Sequence, residues 1–156
     1  MNFMTDLMTP PPHAVITPSG PVWLSEDGII VTITTAHTQT LADAKENIQY
    51  NKRVAAGIPR PLLVDMSRVR SMSKDAREEY VKKDDEPLVT AVALVTNSSI
   101  SRMVGNFFIG LTQSYIPVKL FTEPEKAREW LLQYIVSNDT GQVLIKEDDN
   151  GLTTDR

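Results

Sequence analysis

The sequence contains no cysteine, which removes disulfides, thiolate nucleophiles and cysteine-ligated metals together. It has only two histidines, a small pool for any imidazole-based mechanism. No apolar run approaches the ~18 residues of a membrane span. The segment Met1–Gly20 carries Asp6, no Lys or Arg, and the triplet Pro10-Pro11-Pro12; a secretory signal needs a basic start and an unbroken apolar stretch. A basic surplus is missing too: 16 Lys and Arg stand against 20 Asp and Glu, for a net charge of −4. That balance disfavours nucleic acid, whose binders gain affinity by displacing counterions from phosphates. The expectation is a soluble cytoplasmic protein with no membrane span, no nucleic-acid partner, no metal and no cofactor.

What is present suffices for one core. The chain has 156 residues, 41% of them hydrophobic and 23% charged, within the size and composition of a single domain. Residues 1–21 read as an extended Pro-rich arm, with Met1, Phe3, Met4 and Met8 available to tack it onto an apolar surface. Residues 137–156 read as a polar, acidic tail. Between them, 22–136 carries alternating strand and helix patterns. Val22–Ser25 and Ile29–Ile33 are rich in β-branched and aromatic residues around the turn Glu26-Asp27-Gly28. Leu41, Ala44, Ile48 and Ala55 then recur at helical spacing, and Gly57 with Pro59 ends the run.

Pro61–Met66 and Thr90–Val95 are short and almost wholly apolar, as strands covered on both faces are. Ser73 is placed to cap a helix, with Asp75 at the positive end of its dipole. Glu78 with Lys82 and Glu79 with Lys83 sit at i,i+4 spacing on its solvated face. A third helix spans Ile100–Leu111; Gly105 and Gly110 inside it call for close neighbours, because each costs about 1 kcal/mol against alanine. Val118–Phe121 is the last strand. Thr122-Glu123-Pro124-Glu125 then reads as a capping box that opens a helix with Ala127, Trp130, Leu131 and Tyr134 inward. The order β-β-α-β-α-β-α-β-α predicts an α/β fold with a mixed, mainly parallel sheet and covering helices.

The run Asp65-Met66-Ser67-Arg68-Val69-Arg70-Ser71-Met72-Ser73 resembles the Asp-Leu-Ser-x-Val-x-x-Met-Asp segment of STAS domains, the SpoIIAA-like fold of anti-sigma-factor antagonists. Ala93-Leu94-Val95, Arg102-Met103-Val104, Phe121 and Ala127 are similar to the later part of that pattern. Element order and spacing agree from Val22 to Val136, closest to bacterial STAS-like proteins of unknown function. The resemblance implies a regulatory module that docks to a protein partner. In the antagonists a serine in Asp-Ser-Ser-Gly is phosphorylated; here the segment is Ser73-Lys74-Asp75-Ala76, and that position falls on Asp75. The phospho-switch is therefore expected to be absent, with Ser73 as an alternative acceptor that reads more simply as a cap.

Ligands of open α/β sheets gather beyond the carboxyl ends of the strands, which here points to His37, Asp65, Ser67, Arg68, Asn97, Ser98, Ser99 and Arg102. Arg70, Lys74 and Arg77 add positive charge nearby, although a solvated surface explains them as well. Ser67, His37 and Asp65 can be spelled as a triad, but no Gly-x-Ser-x-Gly elbow frames the serine. Asp84-Asp85-Glu86 is the densest carboxylate run, without the spacing of a calcium loop. Phe107, Phe108 and Ile109 are consecutive, so one helix cannot turn all three inward, and they form a candidate interaction surface. Two functions stand open. One is a non-enzymatic, self-associating interaction module, a homodimer as first expectation. The other is a small-ligand binder, as in the CRAL-TRIO lipid-transfer domains compared with this family, with a pocket between the sheet and the Phe-rich helix and Arg68 or Arg102 on an anionic head group.

Overall fold

A computed structural model of the chain describes residues 7–82, 88–97, 101–114 and 116–136. The strands are β1 (Val15–Thr17), β2 (Gly20–Leu24), β3 (Ile30–Ile33), β4 (Thr38–Gln39), β5 (Arg60–Asp65), β6 (Ser71–Met72), β7 (Val89–Val95) and β8 (Val118–Phe121). The helices are α1 (Leu41–Ala55), α2 (Lys74–Val81), α3 (Arg102–Leu111) and α4 (Pro124–Leu131), the last running into a 3-10 turn at Leu132–Tyr134. The main sheet has the order β1-β2-β3-β5-β7-β8; β4 and β6 form a separate two-stranded ladder. Pairs β1–β2 and β2–β3 are antiparallel, while β3, β5, β7 and β8 run parallel. The fold is thus the expected mixed, mainly parallel α/β arrangement.

That strand order never reverses. Each of α1, α2 and α3 links a parallel strand to its next neighbour in the same direction, and right-handed crossovers then place all three on one face. The core divides accordingly. Val22, Ile30, Leu62, Val92 and Leu94 pack with Ala44, Ala76, Val104 and Phe107 of those helices. Their chain neighbours Trp23, Val31, Leu63, Ala93 and Val95 point the other way and pack with Ala127 and Leu131 of α4, as the two-residue period of a strand requires. Arg128 of α4 reaches Asp27 in the β2–β3 turn at 2.6 Å, with both side chains mostly covered, and so fixes α4 to the sheet.

The sheet begins earlier than the hydrophobic runs indicate. Val15–Thr17, within the segment read as an arm, pairs with β2, and Met8 packs on the α4 face; Met1, Phe3 and Met4 lie outside the described residues. The capping box at Thr122 is not formed. Pro124 occupies the first helical turn, Glu123 becomes the cap, and it makes no side-chain cap bond, because a proline fixed at the first helical position makes the residue before it the cap. The third helix starts at Arg102 with Ser101 as its cap. Its glycines are not squeezed: a Cβ at Gly105 would meet nothing within 4 Å, and one at Gly110 only Val81 at 4.0 Å. On α2 the observed i,i+4 pair is Lys74–Glu78 at 3.7 Å and well exposed, a geometry worth about 0–1 kcal/mol; Lys83 lies outside the described residues.

One glycine is obligatory. Gly20 has φ +130°, and a Cβ there would lie 1.9 Å from the Ile33 carbonyl oxygen, so the hairpin turn and the end of β3 close only around a hydrogen atom. Gly20→Ala is expected to destabilise the protein by about 3 kcal/mol, read as a shifted midpoint in urea unfolding. A loss below about 1 kcal/mol, within the range of ordinary single substitutions, would show that the turn relaxes.

Candidate functional site

Between the sheet and α1, α2 and α3 lies a cavity of about 960 Å³, at the upper end of the range for small-molecule sites. Its floor and back are apolar: Leu62, Val64, Val92 and Leu94 from the sheet, Phe107 and Leu111 from α3. Its rim holds Lys52, Lys82 and Gln113, all exposed. These mark the C-terminal ends of α1, α2 and α3, so the cavity opens where β5, β7 and β8 begin.

One wall is polar and carries no formal charge in its buried part. Thr34, Gln39, Asn47 and Asn51 line it and are all buried. Asn47 and Asn51 are one helical turn apart on α1. Thr32 Oγ1 donates to Asn51 Oδ1 at 3.2 Å, and Asn51 Nδ2 donates to Asn47 Oδ1 at 3.2 Å. Gln39 is 2% exposed and its Nε2 has no hydrogen-bond partner among the described residues. The Tyr80 hydroxyl of α2 donates to Gln39 Oε1 across a long 3.5 Å, while the Tyr80 ring meets Phe107 edge-on at 5.5 Å between centroids. Burial, and secondarily the charge of Asp43, raises the Tyr80 hydroxyl above its ordinary pKa, which keeps it a neutral donor.

The backbone fixes Gln39 from both sides. Thr38 and Gln39 pair with Ser71 and Met72, and Ser73 N–H donates to the Gln39 carbonyl at 3.0 Å. One residue later Thr40 caps α1 in a complete capping box with Asp43. The small ladder therefore sets the starts of two helices and the position of the amide between them.

None of the described residues expected at the strand ends lines this cavity. Asp65 closes β5 and its carboxylate accepts the Ser67 amide at 2.9 Å, a local turn. Arg68, Asn97 and Arg102 are exposed; Ser98 and Ser99 lie outside the described residues, as do Asp84, Asp85 and Glu86. His37 contributes its carbonyl, which accepts from Arg70 and Ser71. Its ring makes no bond to Ser67 or Asp65 among the described residues, so no triad is assembled. A depression of about 260 Å³ does join Thr96 and Thr122 at the ends of β7 and β8, but Lys126 there is paired with Glu123 at 2.9 Å. The Ser73 hydroxyl accepts Ala76 N–H and donates to Asp75, the bonding of a cap. Phe107 is buried, Phe108 half-buried against the core, and Ile109 60% exposed. Among the described residues no cluster of three or more His, Asp or Glu is placed to hold a metal, and no helix is long and apolar enough to cross a membrane.

Sequence reasoning missed Gln39, Asn47 and Asn51. The signal was the spacing Ala44, Asn47, Asn51, Ala55, which puts two amides on the buried face of an amphipathic helix.

A family model described as a domain of unknown function (DUF7793) matches residues 22–135. No curated protein shows significant sequence similarity to the chain. Among solved structures, an uncharacterized protein from the DUF3478 family with a SpoIIAA-like fold, from Shewanella loihica PV-4, is similar at 17% identity with a TM-score of 0.52. That alignment covers 70% of this chain and 89% of the other. Identity this low establishes fold alone, and the fold is SpoIIAA-like, as the Asp65–Ser73 segment implies.

The raised Tyr80 pKa has a measurable consequence. Between the ordinary value of 10.0 and its raised value, the folded state holds a proton that the unfolded chain has released, so stability falls as pH rises. The contribution is intact below pH 10.0 and is lost above it. Tyr80→Phe is expected to flatten that alkaline decline in urea midpoints measured from neutral pH upward. An identical decline in both proteins would place the hydroxyl in contact with water.

Proposed function

The chain belongs to the DUF7793 family, a domain of unknown function, and on that footing we propose that it is a non-enzymatic module that binds a small, largely apolar molecule between its sheet and its three crossover helices. The observation that carries this reading is the cavity of about 960 Å³. Well-packed cores hold few voids larger than a water molecule, and an apolar space of this size leaves its lining without dispersion partners until something fills it. A binding rather than catalytic role is supported by the lining itself. Its buried polar groups are amides and hydroxyls, and Tyr80 is held protonated, so among the described residues the buried part of the lining holds no acid–base pair.

The direct test is titration of the full chain with N-phenyl-1-naphthylamine, a neutral dye that fluoresces in apolar surroundings. One dye per chain is expected to bind. Val64 lines the cavity from near the carboxyl end of β5, and Val64→Trp adds bulk to that lining; it is expected to weaken the dye by about fivefold or more while the far-ultraviolet circular dichroism is kept. Absence of dye binding by the unaltered protein sinks the reading.

Docking through the Phe-rich helix has less behind it. Phe107 and Phe108 are engaged with the core, leaving Ile109 as a single exposed apolar side chain, and isolated exposed hydrophobes are ordinary. Ile109→Asp is accordingly expected to leave the sedimentation velocity profile unchanged. Dissociation of an assembly by that one substitution would instead return the function to a self-associating module.

A further inference from the structure

We infer that the cavity takes a long-chain amphiphile tail first, its unbranched apolar chain laid along β5 and β7 toward Val64 and its polar head left in water at the mouth. The inference rests on the binding role proposed above and goes further by naming the class and the direction of the occupant. Val64 carries it. The residue belongs to β5, which has a strand on each side, and its neighbour Leu63 is fully buried on the α4 face. Val64 itself is only half-buried. It lines the cavity and packs with the core under α1, α2 and α3, so the surface it leaves open faces that space.

Depth follows from the register. Val64 pairs with Leu94, whereas the mouth is bounded by Leu88 and Val89, both half-buried, where β7 begins. From Val89 to Leu94 the strand rises about 17 Å, the extended length of a chain of about a dozen carbons. Leu62 and Val92, paired between those two ends, each keep 8% of their surface. Polarity runs the same way. Among the described residues the charged lining is Lys52, Glu79 and Lys82, all at the C-terminal ends of α1 and α2. The deeper polar groups are engaged with one another: Thr32, Asn51 and Asn47 bond in series, and Tyr80 bonds Gln39. Thr34, Gln39, Asn47 and Asn51 expose 8% or less. The inner end therefore offers an occupant chiefly apolar surface, and a head group taken there would lose its water without gaining a partner.

The test is displacement of N-phenyl-1-naphthylamine from the full chain by hexan-1-ol, octan-1-ol, decan-1-ol and dodecan-1-ol, with dodecane-1,12-diol as the probe that has no apolar end. Affinity is expected to rise about fourfold per methylene through the series, and the diol to bind about tenfold more weakly than dodecan-1-ol. Val64→Trp fills the inner end. With the dye's own affinity measured in each protein, it is expected to weaken dodecan-1-ol about tenfold and hexan-1-ol by less than about twofold. A general loss of packing would weaken both alcohols alike. Should Val64→Trp not fold, the unaltered protein supplies the readout: dodecan-1-ol with a terminal trifluoromethyl group is expected to show a fluorine–proton Overhauser contact to the Val64 methyl groups. A series that levels off before decan-1-ol, a diol bound as tightly as the alcohol, equal loss of long and short alcohols in Val64→Trp, or no contact at Val64 overturns the seating of the chain and leaves the cavity reading standing. Failure of the dye to bind the unaltered protein overturns both.

Discussion

A sheet whose strand order never reverses constrains everything on its surface. Because β3, β5, β7 and β8 follow one another in a single direction, right-handed crossovers load α1, α2 and α3 onto the same face, and only α4 is left for the other. Three helices of different length must then cover one parallel sheet. With 15 residues, α1 spans ~22 Å. The eight residues of α2 span only ~12 Å, against ~23 Å for the seven residues of β7. Since α2 starts directly after β6, it lies toward the carboxyl ends of the strands. The shortfall falls at the other end, under Leu88 and Val89, where the cavity opens. The same single direction removes the reversal of strand order at which ligands of open α/β sheets ordinarily sit.

The opposite face shows what full coverage looks like in this chain. There β7 offers Ala91 and Ala93, both wholly buried, and small residues let α4 approach the sheet closely. Leu131 and Ala127 fill the contact, Trp130 stacks near Phe121 and Tyr134, and Arg128 binds Asp27 and Glu125. None of these residues lines the large cavity. The face covered by three helices is the one that holds the cavity, because the shortest of them stops short of the strand starts.

Those elements that span several periods were legible in the sequence. Pro61–Met66, Thr90–Val95 and the Ala44–Ala55 helix each repeat a pattern long enough to distinguish a period of two from one of 3.6. The strands β1, β4 and β6 have three, two and two residues, too few for any period, and they exist because the fold brings partners to them. Pro124 was visible but its consequence for the cap was misjudged, since a fixed φ at the first helical position outranks a serine- or threonine-led motif. The strand-end rule directed attention to Asp65, Asn97 and Arg102, and such a rule needs the strand order, which no local pattern contains. Asn47 and Asn51 were hidden differently: an amide on a helix looks like surface until the face it shares with Ala44 and Ala55 is counted.

The segment from Asp65 to Tyr80 shows how one stretch of chain divides its chemistry between two sides. In the STAS antagonists that it resembles, the information lies at the outer start of the helix, on a serine open to a kinase. Here the corresponding position is Asp75, and Ser73 is occupied by the cap, bonded to Ala76 and Asp75. The inner face of the same helix carries Ala76, which lets α2 settle on the core, and Tyr80, which reaches back to Gln39 and across to Phe107. The outer start of this helix is thus committed to capping, and its inner face ties the buried amide of Gln39 to the aromatic contact with α3.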